Sequence, residues 1–106
     1  MSKSRRKIRY DAKSILSTLG DYQTDLQRMG VRKLGLFGSY RAGTPTPESD
    51  MDFLVAFERP SFDAYMEVKF FLEDLFNCPV DLVLEEAIKP RLRSYILGEV
   101  VYAQGL

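Results

Sequence analysis

The stretch FGSYRAGTPTPESDMDFLV, residues 37–55, decides how this chain is read. A Gly-Ser pair, Gly38 and Ser39, is followed after ten residues by Asp50 and Asp52 at the head of an apolar run. Carboxylates enter a core only with partners. This strand start is therefore either solvated or faces something positive. In DMDFLVAF, residues 50–57, alternation puts Met51, Phe53, Val55 and Phe57 on one face and Asp50, Asp52, Leu54 and Ala56 on the other. Both faces turn apolar after Asp52, which predicts an interior strand covered on both sides. Gly38, Gly43, Pro45 and Pro47 make the preceding segment, Gly38 to Ser49, a loop or a loop with one short helical turn.

Working outward, VRKLGLF at 31–37 reads as a strand. Ile15, Leu16, Leu19, Leu26 and Met29 recur at helical spacing, predicting an amphipathic segment over about 11–29, broken near Gly20 and stopped by Gly30. Downstream, Ser61 caps a helix running to about Asn77, with Phe62, Tyr65, Met66, Val68, Phe71, Leu72 and Leu75 as its buried stripe. Adjacent positions cannot both centre one stripe, so Phe70 or Phe71 is expected at the surface. PVDLVL at 79–84 is a third strand. KPRLRSYILGE is a helix with Pro90 in its first turn, and VVYA at 100–103 is a short edge strand. The expected fold is α/β (α+β): a small mixed sheet of about four strands with helices packed on it.

At 106 residues, with 45% hydrophobic and 28% charged, the chain suits one globular domain over 1–106. Its 15 basic and 15 acidic residues cancel, which argues against a generally nucleic-acid-binding surface. Lys3, Arg5, Arg6, Lys7 and Arg9 crowd the start, and residues 1–10 are read as a basic arm, either solvated or touching RNA or an acidic partner. No signal core or bilayer-length apolar run is present, so a cytoplasmic protein without membrane contact is expected. The single cysteine, Cys78, excludes an internal disulfide. The absence of histidine excludes His-based zinc sites and histidine acid–base chemistry.

Asp50 and Asp52 leave one strand face, where two unpaired anions raise one another's pKa. A divalent cation reverses that penalty, and hard carboxylate oxygens favour magnesium, with manganese possible. Asp81, the one acid in PVDLVL, joins them if its strand is the neighbour. Three such carboxylates are enough for two ions about 4 Å apart, the arrangement of in-line phosphoryl or nucleotidyl displacement. Gly38 lets backbone approach a phosphate, Ser39 adds a hydroxyl, and amides of the next turn can form an anion nest. Gly-Lys-Ser/Thr is absent, so this is not a Walker loop.

In this order (strand, Gly-Ser, ten residues, Asp-x-Asp, a later Asp in an apolar strand), the chain resembles the DNA polymerase β-like nucleotidyltransferase superfamily. More closely, it is similar to the minimal nucleotidyltransferase (MNT) antitoxins, over about residues 12–103. VRKLGLFGS, SDMDFLVAF and PVDLVLEEAIKPRLRSYILGEVVYA carry the resemblance. It implies metal-dependent transfer of AMP from ATP to a tyrosine of a HEPN-domain ribonuclease toxin. It also implies metal and catalytic roles for Asp50, Asp52 and Asp81, and nucleotide binding by Gly38 and Ser39. Close relatives read Gly-Ser-x-Ala-Arg-Gly where this chain has GSYRAG. Arg41 is then the candidate for the triphosphate, turned about 100° from the usual direction if the loop is helical. Two rival readings are an antitoxin that blocks its toxin by steric cover, and a transferase acting on a small molecule or an RNA end.

Overall fold

The structure, a computed structural model, describes residues 10–106. The basic cluster Lys3 to Arg9 lies outside the described residues. Tyr10, the last residue of the expected arm, packs edge-on against Phe76 with ring centroids 5.0 Å apart.

The chain opens with α1 (Ala12–Asp21) and α2 (Gln23–Arg28). Asp11 caps α1 reciprocally with Ser14, accepting from the Ser14 amide at 2.8 Å. The break expected near Gly20 falls at Tyr22, whose amide bonds back to the Leu19 and Gly20 carbonyls and closes the first helix. Next come β1 (Val31–Phe37), the short α3 (Gly38–Ala42) and β2 (Met51–Phe57). They are followed by α4 (Phe62–Phe76), β3 (Val80–Leu84), a 3-10 turn at Glu85–Ala87, α5 (Pro90–Glu99) and β4 (Val101–Tyr102).

The strands form one mixed sheet in the order β3-β2-β1-β4. β1 runs antiparallel to β2 and β4, while β2 and β3 are parallel, joined through α4. The alternation in DMDFLVAF survives: Met51, Phe53, Val55 and Phe57 are buried on the face that takes α1, α2 and α4. Phe53 stacks on Phe76 at 6.0 Å, and Ile15, Leu19, Leu26, Val68 and Leu72 are fully enclosed around them. Each such side chain contributes about 1.5–3 kcal/mol by leaving water.

Phe62 departs from expectation. It opens α4 and is 75% exposed, lining a surface pocket with Leu82, Val83 and Leu84 of β3. Of the adjacent pair, Phe70 is the exposed one at 54%, while Phe71 meets the Tyr22 ring at 5.6 Å. The exposed edge of β3 is partly blunted by α4: Glu73 accepts from the Val80 amide at 3.0 Å, and the Tyr65 hydroxyl donates to the Leu82 carbonyl at 2.6 Å.

The other sheet face is thinly covered. No residue of α5 is fully buried. The Glu85 carboxylate ties this side together, pairing with Lys33 at 3.6 Å and accepting from the Tyr102 hydroxyl at 3.2 Å. Close seating of β4 requires Gly35, where a Cβ would lie 2.5 Å from Val100 Cγ2 and 3.0 Å from Tyr102 Cδ1. Gly35→Ala is expected to push the C-terminal strand off β1 and cost about 1–3 kcal/mol. Urea unfolding checks this: an unchanged midpoint would show that β4 adapts without loss.

Candidate active site

Strand register assembles the site. Asp52 of β2 stands opposite Phe37 of β1 on one side and opposite Asp81 of β3 on the other. Side chains at paired positions leave the same face, so Asp52 and Asp81 are neighbours above the thinly covered side of the sheet. Asp50 was expected inside the strand. It sits one residue before β2 begins, because the ladder starts with the Met51 amide donating to the Pro79 carbonyl at 3.0 Å.

Gly38 follows directly on Phe37, so the same register delivers the Gly-Ser bend to Asp52. The contact is so close that a Cβ on Gly38 would overlap the Asp52 carboxylate oxygen. Gly38 also has φ +77°, a left-handed conformation that side chains disfavour. Both constraints select glycine there. Ser39 opens the single turn of α3, and its carbonyl accepts from the Thr44 amide at 2.9 Å. Gly43, at φ +82°, closes that turn. The expected short helical turn is therefore present, and it begins at the Gly-Ser pair.

The electrostatics are those of an unneutralised acidic cluster. The Asp52 carboxyl is pushed up to about 6, first by burial and then by the charges of Asp81 and Asp50, with a side-chain hydrogen bond to Asp81 adding to the rise. Among the described residues no lysine or arginine pairs with Asp50, Asp52 or Asp81; the ion pairs there are Lys33–Glu85 and Lys69–Glu73. Nor are three or more acidic, cysteine or histidine side chains gathered there around one ion-binding point. By donor chemistry the trio fits a hard divalent cation, which would relieve the repulsion now raising Asp52. Asp50 stands just outside the strand, at the end of the loop before β2.

Arg41 lies inside the helical turn of α3, the condition that turns it from the usual direction, and it does not line the groove beside the bend; its side chain is partly enclosed. Its Nε is buried and has no hydrogen-bond partner among the described residues. A buried guanidinium nitrogen without an acceptor is costly, and an anion beside it removes the cost.

A groove of about 490 Å³ opens beside the bend, between Gly38 and Ser39 on one wall and Leu92, Tyr95 and Glu99 of α5 on the other. The sequence reading missed this α5 wall. Its only sequence signal is that Leu92, Tyr95 and Glu99 fall at helical spacing, which any packed helix also shows.

Comparison with known proteins agrees with this geometry. The nucleotidyltransferase domain family matches residues 19–103. The protein adenylyltransferase MntA of Thermococcus cleftensis is 43% identical over 77 residues, covering 72% of this chain and 78% of that protein. A solved structure of a candidate minimal nucleotidyltransferase superimposes with a TM-score of 0.70 at 32% identity, over 90% of this chain and 98% of the other. A chain from the complex of a tri-AMPylated Shewanella oneidensis HEPN toxin with its MNT antitoxin has the same fold, with a TM-score of 0.60 at 19% identity over 86% of this chain and 73% of that one. The domain match over residues 19–103, the likeness to MntA and the shared fold thus place the chain in the nucleotidyltransferase domain family, as an enzyme of the minimal nucleotidyltransferase kind.

Proposed function

We propose that the chain is a metal-dependent protein adenylyltransferase that serves as the antitoxin of a HEPN-domain ribonuclease, moving AMP from ATP to a toxin tyrosine. The observation that carries this reading is the Asp52 carboxylate, wedged against Gly38, in register with Asp81 and without a cationic partner. Such a cluster costs stability and serves no packing purpose. It suits a cation and the phosphates that travel with it. The MntA relative and the AMPylated HEPN toxin of the fold neighbour support the protein acceptor.

In this reading Asp50, Asp52 and Asp81 would hold magnesium, or manganese in its place, as two ions. Bound there, the metal would supply charge neutralisation at the phosphates and lower the pKa of the acceptor hydroxyl. The chain's own residues do the rest. The main chain at Gly38 admits the triphosphate at close range, and the Ser39 hydroxyl donates to it. Arg41 places its orphaned Nε on a phosphate oxygen. Asp52 and Asp81 orient the incoming phenol, whose oxygen bonds to the α-phosphorus as the bond to the β-phosphate bridging oxygen breaks and pyrophosphate leaves. The phenolic proton passes to carboxylate or water. This chemistry is positioning and charge stabilisation, which a single turn and three acids can provide. No helix among the described residues is long and apolar enough to cross a membrane. The cytoplasm, where ATP and a ribonuclease target coexist, is the compartment this reading requires.

Three outcomes are expected. With magnesium, α-labelled ATP and the product of the neighbouring gene, expected to be a HEPN toxin, the chain labels a toxin tyrosine. Asp52→Asn and Asp50→Asn each lower that labelling about 100-fold or more. Toxin silencing by the unlabelled double variant would instead support steric cover, and labelled RNA or small molecule in place of toxin would support a different acceptor.

The second outcome concerns stability. Asp52 releases its proton near pH 3.8 when unfolded and near 6 when folded, so its contribution falls as pH rises between these values and stays low above 6. Asp52→Asn therefore has the higher Tm at pH 8 without metal, by several degrees, and the gap closes toward pH 4. Magnesium raises the Tm of the native chain and not of the variant. Equal Tm values at pH 8 would contradict the uncompensated cluster. Thirdly, Arg41→Gln is expected to raise the KM for ATP about tenfold while sparing the fold.

A further inference from the structure

We infer that the groove between the Gly-Ser bend and α5 is the nucleobase subsite, with Tyr95 as its stacking platform and Glu99 as the acceptor that reads an exocyclic amine. The inference rests on the nucleotidyltransferase reading of the adjoining site and names the group of the nucleotide that this site orients.

Position comes first. Phe37 lines the groove and is the register partner of Asp52. The two side chains share a sheet face, so the groove begins one strand spacing, about 5 Å, from the carboxylates. Gly38 lies against Asp52 and, with Ser39, also lines the groove. A triphosphate held at the bend can therefore extend its nucleoside into the groove without leaving the sheet face.

The lining comes second. A volume of about 490 Å³ is within the usual range for a small-molecule site. Leu92 and Ile96 give one apolar wall, which is unsuited to phosphates and suited to a flat base. Tyr95 is 71% exposed, an aromatic face presented to solvent on a helix with no fully buried residue. Bases stack on such rings irrespective of sequence, and alanine substitution typically removes a large part of the binding. Glu99 lines the same groove, is half-buried, and has no ion pair among the described residues. A carboxylate only accepts, so it favours a base that offers an amine donor at that edge, such as the 6-amino group of adenine, over a keto group in the same place.

Titration calorimetry on the full chain with magnesium tests this, using ATP, inosine triphosphate and inorganic triphosphate as probes. The native chain is expected to bind ATP at least several-fold more tightly than inosine triphosphate. Tyr95→Ala weakens ATP on the order of tenfold and leaves inorganic triphosphate within twofold. Glu99→Ala erases the preference for ATP over inosine triphosphate. Both residues are outside the buried core, and an unchanged Tm confirms that the variants fold. If Tyr95→Ala leaves ATP binding intact, or weakens ATP and triphosphate alike, the groove does not hold the base. If it changes only the KM for the protein acceptor, the groove belongs to the acceptor, and the inference is overturned. A native chain that binds triphosphate but does not prefer ATP over it overturns the subsite and spares the transferase reading. One that binds neither overturns both.

Discussion

The contact between Gly38 and the Asp52 carboxylate is the constraint on which the rest of this molecule depends. It exists because β1 ends where β2 begins to pair, with Phe37 opposite Asp52. Residue 38 must then turn away from the sheet while passing directly over an acidic side chain. Only glycine meets both demands, since a Cβ would strike the carboxylate and the backbone takes a positive φ. The tight turn follows from this approach, while the raised pKa of Asp52 comes from its burial and then from the charges of Asp81 and Asp50. An acid left in open water would show neither the burial nor the shift.

That approach is expensive, and the sheet around it is organised to hold it. β2 is central, pinned by β1 on one side and β3 on the other, and its core face carries Met51, Phe53 and Val55 fully enclosed. A strand so firmly packed on one face cannot shift register to relieve the crowding on the other, because a one-residue slip would expose the whole apolar set. The hydrophobic face thus holds the acidic face in place. The same rigidity fixes Asp81 beside Asp52, since the parallel register of β2 and β3 is set by the apolar pairs Phe53–Leu82 and Val55–Leu84.

The two faces differ in thickness, as the proposed function requires. α1, α2 and α4 close one side into a dry core, whereas on the other, where Leu54 is buried, none of α5's own residues is fully enclosed. A fully covered second face would bury the carboxylates beyond the reach of substrate. A naked one would leave no wall against which to hold it. α5 is an intermediate case: a wall with a groove beneath it, anchored by β4 against Gly35 and by the Glu85 contacts to Lys33 and Tyr102.

Much of this was legible in the residues themselves. Period-two alternation in DMDFLVAF marks the central strand, helical spacing marks α1 and α4, and Gly-Ser followed by Asp-x-Asp marks the chemistry, because each pattern reflects a local geometric rule that holds wherever the segment is placed. Spacing along a chain carries no such rule for contacts between segments. Which strand lies beside β2, that Asp50 stops just short of the ladder, that Phe62 is exposed and that Tyr95 faces a groove rather than a core were all settled by packing. The chain alone therefore determined which groups could do the work. Only the folded sheet decided which of them meet, since a carboxylate's pKa, a glycine's necessity and a pocket's wall are properties of neighbours that are distant in sequence.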